Sequence, residues 1–348
     1  MIGAVPPAAA TLDVATADGA AIRVRRHGNL RGNRLFVSHG NGFAVDGYAA
    51  FWSRFVADFE IVAFDMRNHG QNPHGDPAGH DYTHMADDID RVHRAVTAEF
   101  GAKPSAGLFH SMSAQAALIA AIETGWRFDA LVAFDPPNVP PDGPARQPML
   151  DYLRRLARWA RLRRADFANP DELAAEYAAT RSGREWEERT RALMARAVLR
   201  ADGGGWSLRC PPLLEASLYE QGMPLDLWPR RDRFPGPVKL IGADPERYQA
   251  SPTALSNRAL ADAGGFDYAS RSPAPATCCS SRRRPPAPKS CGNSSRRAAS
   301  GDQRTAAAML PPSTVTIAAV VLRASASETN ASATSSAATS RPSRLPPM

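Results

Sequence analysis

The chain has 348 residues, with 42 Lys and Arg against 35 Asp and Glu, which admits one large domain or two ordinary ones. The formal charge of +7 is not spread evenly: residues 271–348 carry 11 basic and two acidic side chains, whereas the first 270 carry 31 and 33, so the body gives no nucleic-acid signal. Of the four cysteines only Cys210 precedes residue 271, which excludes a disulfide framework in the body and fits a reducing, cytoplasmic setting.

Met1 to Pro7 has neither the basic start nor the apolar core of a secretory signal. The longest apolar run of the tail, Val315 to Leu322 with Thr316 inside it, is far short of a membrane span. The expectation is a protein with a small-molecule substrate and neither a nucleic-acid nor a membrane partner.

Residues 11–26 alternate weakly around Asp18-Gly19, the pattern of a β-hairpin. Leu35-Phe36-Val37-Ser38 then reads as a strand buried on both faces and leads into His39-Gly40-Asn41-Gly42-Phe43. Tyr48, Phe51, Trp52 and Phe55 recur at helical spacing over 47–58, and Ile61 to Phe64 is a second buried strand ending in Asp65-Met66-Arg67-Asn68-His69-Gly70. A helix is expected over 83–99, with Met85, Ile89, Val92 and Val96 on one face. After it, Ala106 to Phe109 runs into His110-Ser111-Met112 and turns at once into an Ala-rich helical pattern. Leu131 to Phe134 then leads into Asp135-Pro136-Pro137. Alternation of strand and helix throughout implies an α/β fold with a mostly parallel sheet.

Between about 140 and 232 this rhythm stops. Arg-rich helices are expected over 149–165, 171–180, 184–199 and 212–220, with no strand pattern between them, and the arginines read as a solvated face. Val238 to Gly242 resumes the sheet, followed by Ala243-Asp244-Pro245, a helix over 251–263, and Phe266-Asp267-Tyr268 opening another strand.

A strand, a sharp turn carrying a serine and a helix form a nucleophile elbow. In this and in its order of loops the sequence resembles the α/β-hydrolase superfamily, whose elbow usually reads Gly-x-Ser-x-Gly. Phe109 and Ser113 stand where that motif has glycine. Ser113 is small, but Phe109 is expected to crowd the bend. The resemblance implies an α/β-hydrolase core over 1–139 and 233–270, the second part truncated before the last strand and helix, with a helical cap over 140–232. It implies Ser111 as nucleophile and Asp244 as triad acid, with Asp135 as the alternative. The oxyanion donors would be the backbone N–H groups of Asn41 and Met112. The Asp65 to Gly70 stretch is similar to the family's Asp-x-Arg-Gly-His-Gly loop and reads as structural, through Arg67 and His69. His74, His80 and His84 read as a polar surface loop rather than a metal site. No cofactor and no metal is implied.

Residues 271–348 contain no aromatic residue, and Ala, Ser, Pro and Arg make up 51 of the 78, so this low-complexity tail is expected to be disordered. No histidine follows His110, although the family carries its triad histidine after the last strand. Ser272 to Arg282 can be back-translated so that a shifted frame encodes Pro-Gly-Thr-Gly-His, which is compatible with a frameshift near 269–272. The implied function is hydrolysis of a small or medium, largely apolar ester, lactone or related carbonyl compound through an acyl-Ser111 intermediate. Activity of this chain is put in question by the missing histidine. The alternatives are an inactive binding protein on the same fold, and a cofactor-free haloperoxidase or dehalogenase; serine at 111 argues against the dehalogenase.

Overall fold

A computed structural model describes residues 5–180, 183–225, 228, 231–234, 236–243 and 251–271. The tail from residue 272, and with it the expectations of disorder and of a shifted frame, lies outside the described residues.

The hairpin strands β1 (Ala10–Ala15) and β2 (Ala21–Gly28) pair antiparallel, with Val14 opposite Ile22. Next come β3 (Arg34–Val37), a broken helical segment centred on α1 (Ala49–Trp52), and β4 (Glu60–Phe64). α2 (Tyr82–Phe100), β5 (Ser105–His110), α3 (Met112–Glu123) and β6 (Ala130–Phe134) complete the first part. The second part of the sheet is β10 (Val238–Ala243), α8 (Pro252–Gly264) and β11 (Asp267–Arg271), after an insertion described below. The eight strands lie in the order β1-β2-β4-β3-β5-β6-β10-β11, and every pairing from β4 onward is parallel.

The central strands are buried at every position because apolar side chains of alternate parity feed two separate cores. Phe36, Val62, Phe64, Phe109, Leu131 and Leu240 face α2, α3 and α8. Leu35, Val37, Ile61, Leu108, Val132 and Phe134 face Phe51, Trp52 and Phe55. Asp81 caps α2 by accepting from the His84 N–H, and Ser251 caps α8 with Pro252 at its first position.

Three expectations change. The aromatic stretch over 47–58 is not one helix but 3-10 turns at 45–48 and 53–55 around the single turn of α1. The aromatic spacing survives because both kinds of turn keep i and i+3 on one side. The strand that Phe266-Asp267-Tyr268 is expected to open is there, so the truncation does not fall before it: β11 pairs along β10 from Lys239–Asp267 to Ala243–Arg271. The insertion also holds strands among its helices. Its elements are α4 (Arg146–Leu162), β7 (Asp166–Phe167), α5 (Pro170–Ala179), α6 (Glu188–Val198), β8 (Leu199–Asp202), β9 (Gly205–Leu208) and α7 (Pro212–Gln221). β8 and β9 form a hairpin closed by Gly203 and Gly204, both at positive φ (57° and 95°), which two-residue turns of this kind require. No described helix is long and apolar enough to cross a membrane.

Candidate active site

β5 delivers its carboxyl end at the middle of the sheet, and the chain turns into α3 through Ser111 at φ 50° and ψ −111°. A non-glycine residue adopts that conformation only when its surroundings hold it there. Here the Ser111 N–H donates to the Phe134 carbonyl at 2.7 Å, and the Ser111 carbonyl accepts from the Gln115 N–H at 2.9 Å. The backbone is therefore fixed on both sides, while the hydroxyl caps nothing and is half-exposed.

Phe109 does not crowd the bend. Its ring is fully buried and folds away from it, edge-on to Phe64 and Phe128 with centroids 6.1 and 5.6 Å away. The room comes from two residues upstream: a Cβ on Gly107 would lie 2.5 Å from Phe109 Cε2. The small residue that the bend requires has moved along the strand. Ser113 is more than a tolerated substitute, since its hydroxyl accepts from the His110 N–H and donates to the His110 carbonyl, both at 3.1 Å.

The glycine loop after β3 closes on this elbow. A Cβ on Gly40 would lie 2.7 Å from His110 Nδ1 and 3.3 Å from the Ser111 Cβ, so any larger residue would push the loop off. The Tyr48 hydroxyl accepts from the Gly40 N–H at 3.3 Å and meets His110 Nδ1 at 2.8 Å, tying loop and elbow together. Gly42 sits at φ 72°, and its N–H donates to His69 Nε2 at 3.2 Å. Asn41 is buried between these glycines, and its N–H makes no backbone hydrogen bond among the described residues. Met112 holds the first position of α3, where an N–H has no intrahelical acceptor and the helix dipole is positive. Ser111 and the glycine loop are thus brought together.

Asp135 follows β6, next to the elbow in the sheet, and is itself at φ 44° with its N–H on the Ile241 carbonyl at 2.9 Å. Asp244 lies outside the described residues; β10 ends at Ala243 directly before it.

The Asp65 loop is built as a support. The Asp65 carboxylate accepts from the Val45 N–H (2.7 Å) and the Gln71 N–H (3.0 Å). Arg67 grips Asp88 through two bonds of 2.7 and 2.8 Å and also reaches Asp18 and the Gly79 carbonyl. His39 lies 3.4 Å from Asp65 but is no ion pair: its Nε2 accepts from the Met66 N–H and its Nδ1 donates to the Gly40 carbonyl, the pattern of a neutral ring. Burial pushes His39 down to about 4, and it pushes His69, with His39 beside it, to about 3. His110 is likewise held down at about 3 by burial and then by His39. His80 corrects the surface-loop expectation: it is buried against His69, ring centroids 5.6 Å apart, and burial lowers it to about 3. Among the described residues no group of three or more His, Cys, Asp or Glu is placed to hold a metal ion.

Sequence reasoning missed one pair. Glu215 of α7 is buried and bonds Arg163 at 2.6 Å. Its carboxyl carbon would stand 2.6 Å from a Cβ on Gly42, and its backbone carbonyl accepts from the Asn41 side-chain amide at 2.8 Å. Burial alone would pull Arg163 down, but Glu215 outweighs it and holds the guanidinium charged. The sequence signal was slight: one acidic residue amid Leu213, Leu214, Ala216 and Leu218.

Several solved structures share this architecture. An E-2-(acetamidomethylene)succinate hydrolase matches with a TM-score of 0.59 at 18% identity, over 75% of this chain and 90% of that one. An α/β hydrolase from Novosphingobium aromaticivorans DSM 12444 gives 0.56 at 16%, over 75% and 90%. The thioesterase domain from the curacin biosynthetic pathway gives 0.54 at 17%, over 75% and 93%. At such identities the likeness is one of fold. No curated protein matches the sequence significantly. Residues 35–320, however, match the α/β hydrolase family as a sequence family, and the chain belongs to it.

Proposed function

We propose that this member of the α/β hydrolase family is built as a serine hydrolase. Ser111 attacks a carbonyl carbon, and the N–H groups of Asn41 and Met112 receive the charge that develops on the carbonyl oxygen. The helical insertion acts as a cap over this site, and the substrate is a small or medium, largely apolar ester, lactone or related carbonyl compound. The observation that carries the reading is Ser111 itself: a strained backbone bound to the Phe134 carbonyl, a hydroxyl left unused at a helix N-terminus, and Gly40 packed against it.

The proton of Ser111 needs a base. No histidine follows His110, and His39, His69 and His110 are held neutral far below their ordinary range, so none of them is a good base near pH 7. The chain as it stands is therefore a nucleophile and an oxyanion site without an efficient proton acceptor. Such remnants retain a small part of the full rate.

A fluorophosphonate tests the assignment, because attack by the serine oxygen on phosphorus expels fluoride and leaves a stable adduct. Slow labelling at Ser111, lost in Ser111→Ala, supports the hydrolase; no labelling at any time favours a binding protein on the same fold. A second reading of the acid is favoured by one observation, the left-handed backbone of Asp135 beside the elbow, since strain of this kind collects at functional positions. Asp135 then takes the place given above to Asp244, and Asp135→Asn and Asp244→Asn labelled in the presence of imidazole separate the two.

A further inference from the structure

The arginines of α4 and of the turn after it are not all alike. Arg154 bonds Asp151 (2.9 Å), Arg161 bonds Glu220 (2.7 Å) and Arg164 bonds Glu172 (3.0 Å). Arg155 and Arg158 are exposed and join no ion pair among the described residues. They share one stripe of the helix, at i, i+3, i+4 and i+7, with Trp159 and Leu162. Five large apolar side chains are exposed among the described residues, and three of them, Trp159 (41%), Leu162 (79%) and Leu213 (64%), belong to the packed helices α4 and α7. Part of the indole is used by Arg163, whose guanidinium lies 5.0 Å from the Trp159 ring centroid, but the rest of it and most of Leu162 stand on the surface beside the two unpaired arginines, an apolar patch that a merely solvated face does not need.

We propose that this ridge of the insertion docks on an anionic phospholipid surface. Unpaired guanidinium groups meet phosphate headgroups there, Leu162 enters the acyl boundary, and the indole lies between them. Charge complementarity selects the occupant. A second copy of this chain would set Arg155 and Arg158 against their own like on a two-fold axis, which repels. An acidic protein would satisfy the charge, but it needs a matching cavity for a side chain that stands as far out as Leu162, whereas a fluid interface yields to it. Contact is peripheral, in keeping with helices too short or too polar to span. The sequence reading that excluded a membrane partner rested on spanning segments alone, and a docking ridge escapes it.

Co-sedimentation of the full chain with vesicles tests the proposal, using phosphatidylcholine alone and phosphatidylcholine with about one-third phosphatidylglycerol. Binding is expected on the anionic vesicles only, and it weakens as salt is raised. Arg155→Glu with Arg158→Glu, and separately Trp159→Ser with Leu162→Ser, are each expected to lower the apparent affinity at least about tenfold. All four positions are exposed, so circular dichroism should show an unchanged fold. Binding that survives both double variants belongs to the basic residues after 270 and overturns the proposal. So does equal binding to neutral vesicles, no binding at all, or dimers in solution that the same variants abolish.

Discussion

The Ser111 N–H donates to the Phe134 carbonyl at 2.7 Å, across the carboxyl ends of two neighbouring parallel strands. That bond holds a serine at φ 50° between sheet and helix, and the cost is carried by the strands on either side of it. Glycine meets no Cβ clash there. Ser111→Gly is therefore expected to raise the unfolding free energy by about 1–3 kcal/mol over Ser111→Ala, which keeps the strained Cβ. Denaturant melts of the two variants read the difference; equal stability would mean that the bend is relaxed.

Phe109 and Gly107 exchange room within β5. Gly107→Val should overpack the strand by about 1–3 kcal/mol. Phe109→Ala should cost about 3–5 kcal/mol, because the ring packs against both Phe64 and Phe128. Phe109→Gly, which restores the first glycine of the family's usual elbow, should be at least as damaging in this chain. Thermal melts check all three.

The strands of the core were legible because Leu35 to Val37 and Ile61 to Phe64 are apolar at every position, as burial on both faces demands. Phe109 was misjudged because motif spacing shows which residue departs from a pattern and not which neighbour compensates. β7 to β9 escaped notice for another reason: strands of two to four residues carry too few positions to show a period, and the helical runs around them dominate. Gly203-Gly204 was the available sign. The contact of Glu215 with Gly42 joins residues 173 positions apart, and no local pattern encodes it.

That contact makes the pair Glu215–Arg163 a link between insertion and glycine loop. Glu215→Ala strands a buried guanidinium and should destabilise by about 3–5 kcal/mol. Glu215→Leu combined with Arg163→Met removes both charges and should recover most of that loss. If the double variant is as unstable as the single one, Glu215 holds the loop through its shape and its backbone bond to Asn41 rather than through charge.

Acidification should unfold the body well above the carboxylate range. His39, His69, His80 and His110 have ordinary values of 6.5, and burial holds them near 3 to 4 in the folded chain. Because the folded values are depressed, the unfolded chain binds protons first as the pH falls below about 6.5. Stability is then complete above that pH and falls toward pH 4, at up to about 1.4 kcal/mol per pH unit for each histidine. Urea melts at about pH 7.5, 6 and 5 should show the midpoint dropping steadily. A flat profile would mean that these rings protonate in place.

If Ser111 is a nucleophile short of a base, a diffusible base should help it. The most direct measurement is the rate at which a small alkyl fluorophosphonate modifies the full chain near pH 7.5, with and without free imidazole, read by intact mass and peptide mapping. The expected result is a slow single adduct on Ser111, accelerated at least about tenfold by imidazole and absent from Ser111→Ala. An adduct elsewhere, or a Ser111 that stays unmodified with imidazole present, would contradict the assignment.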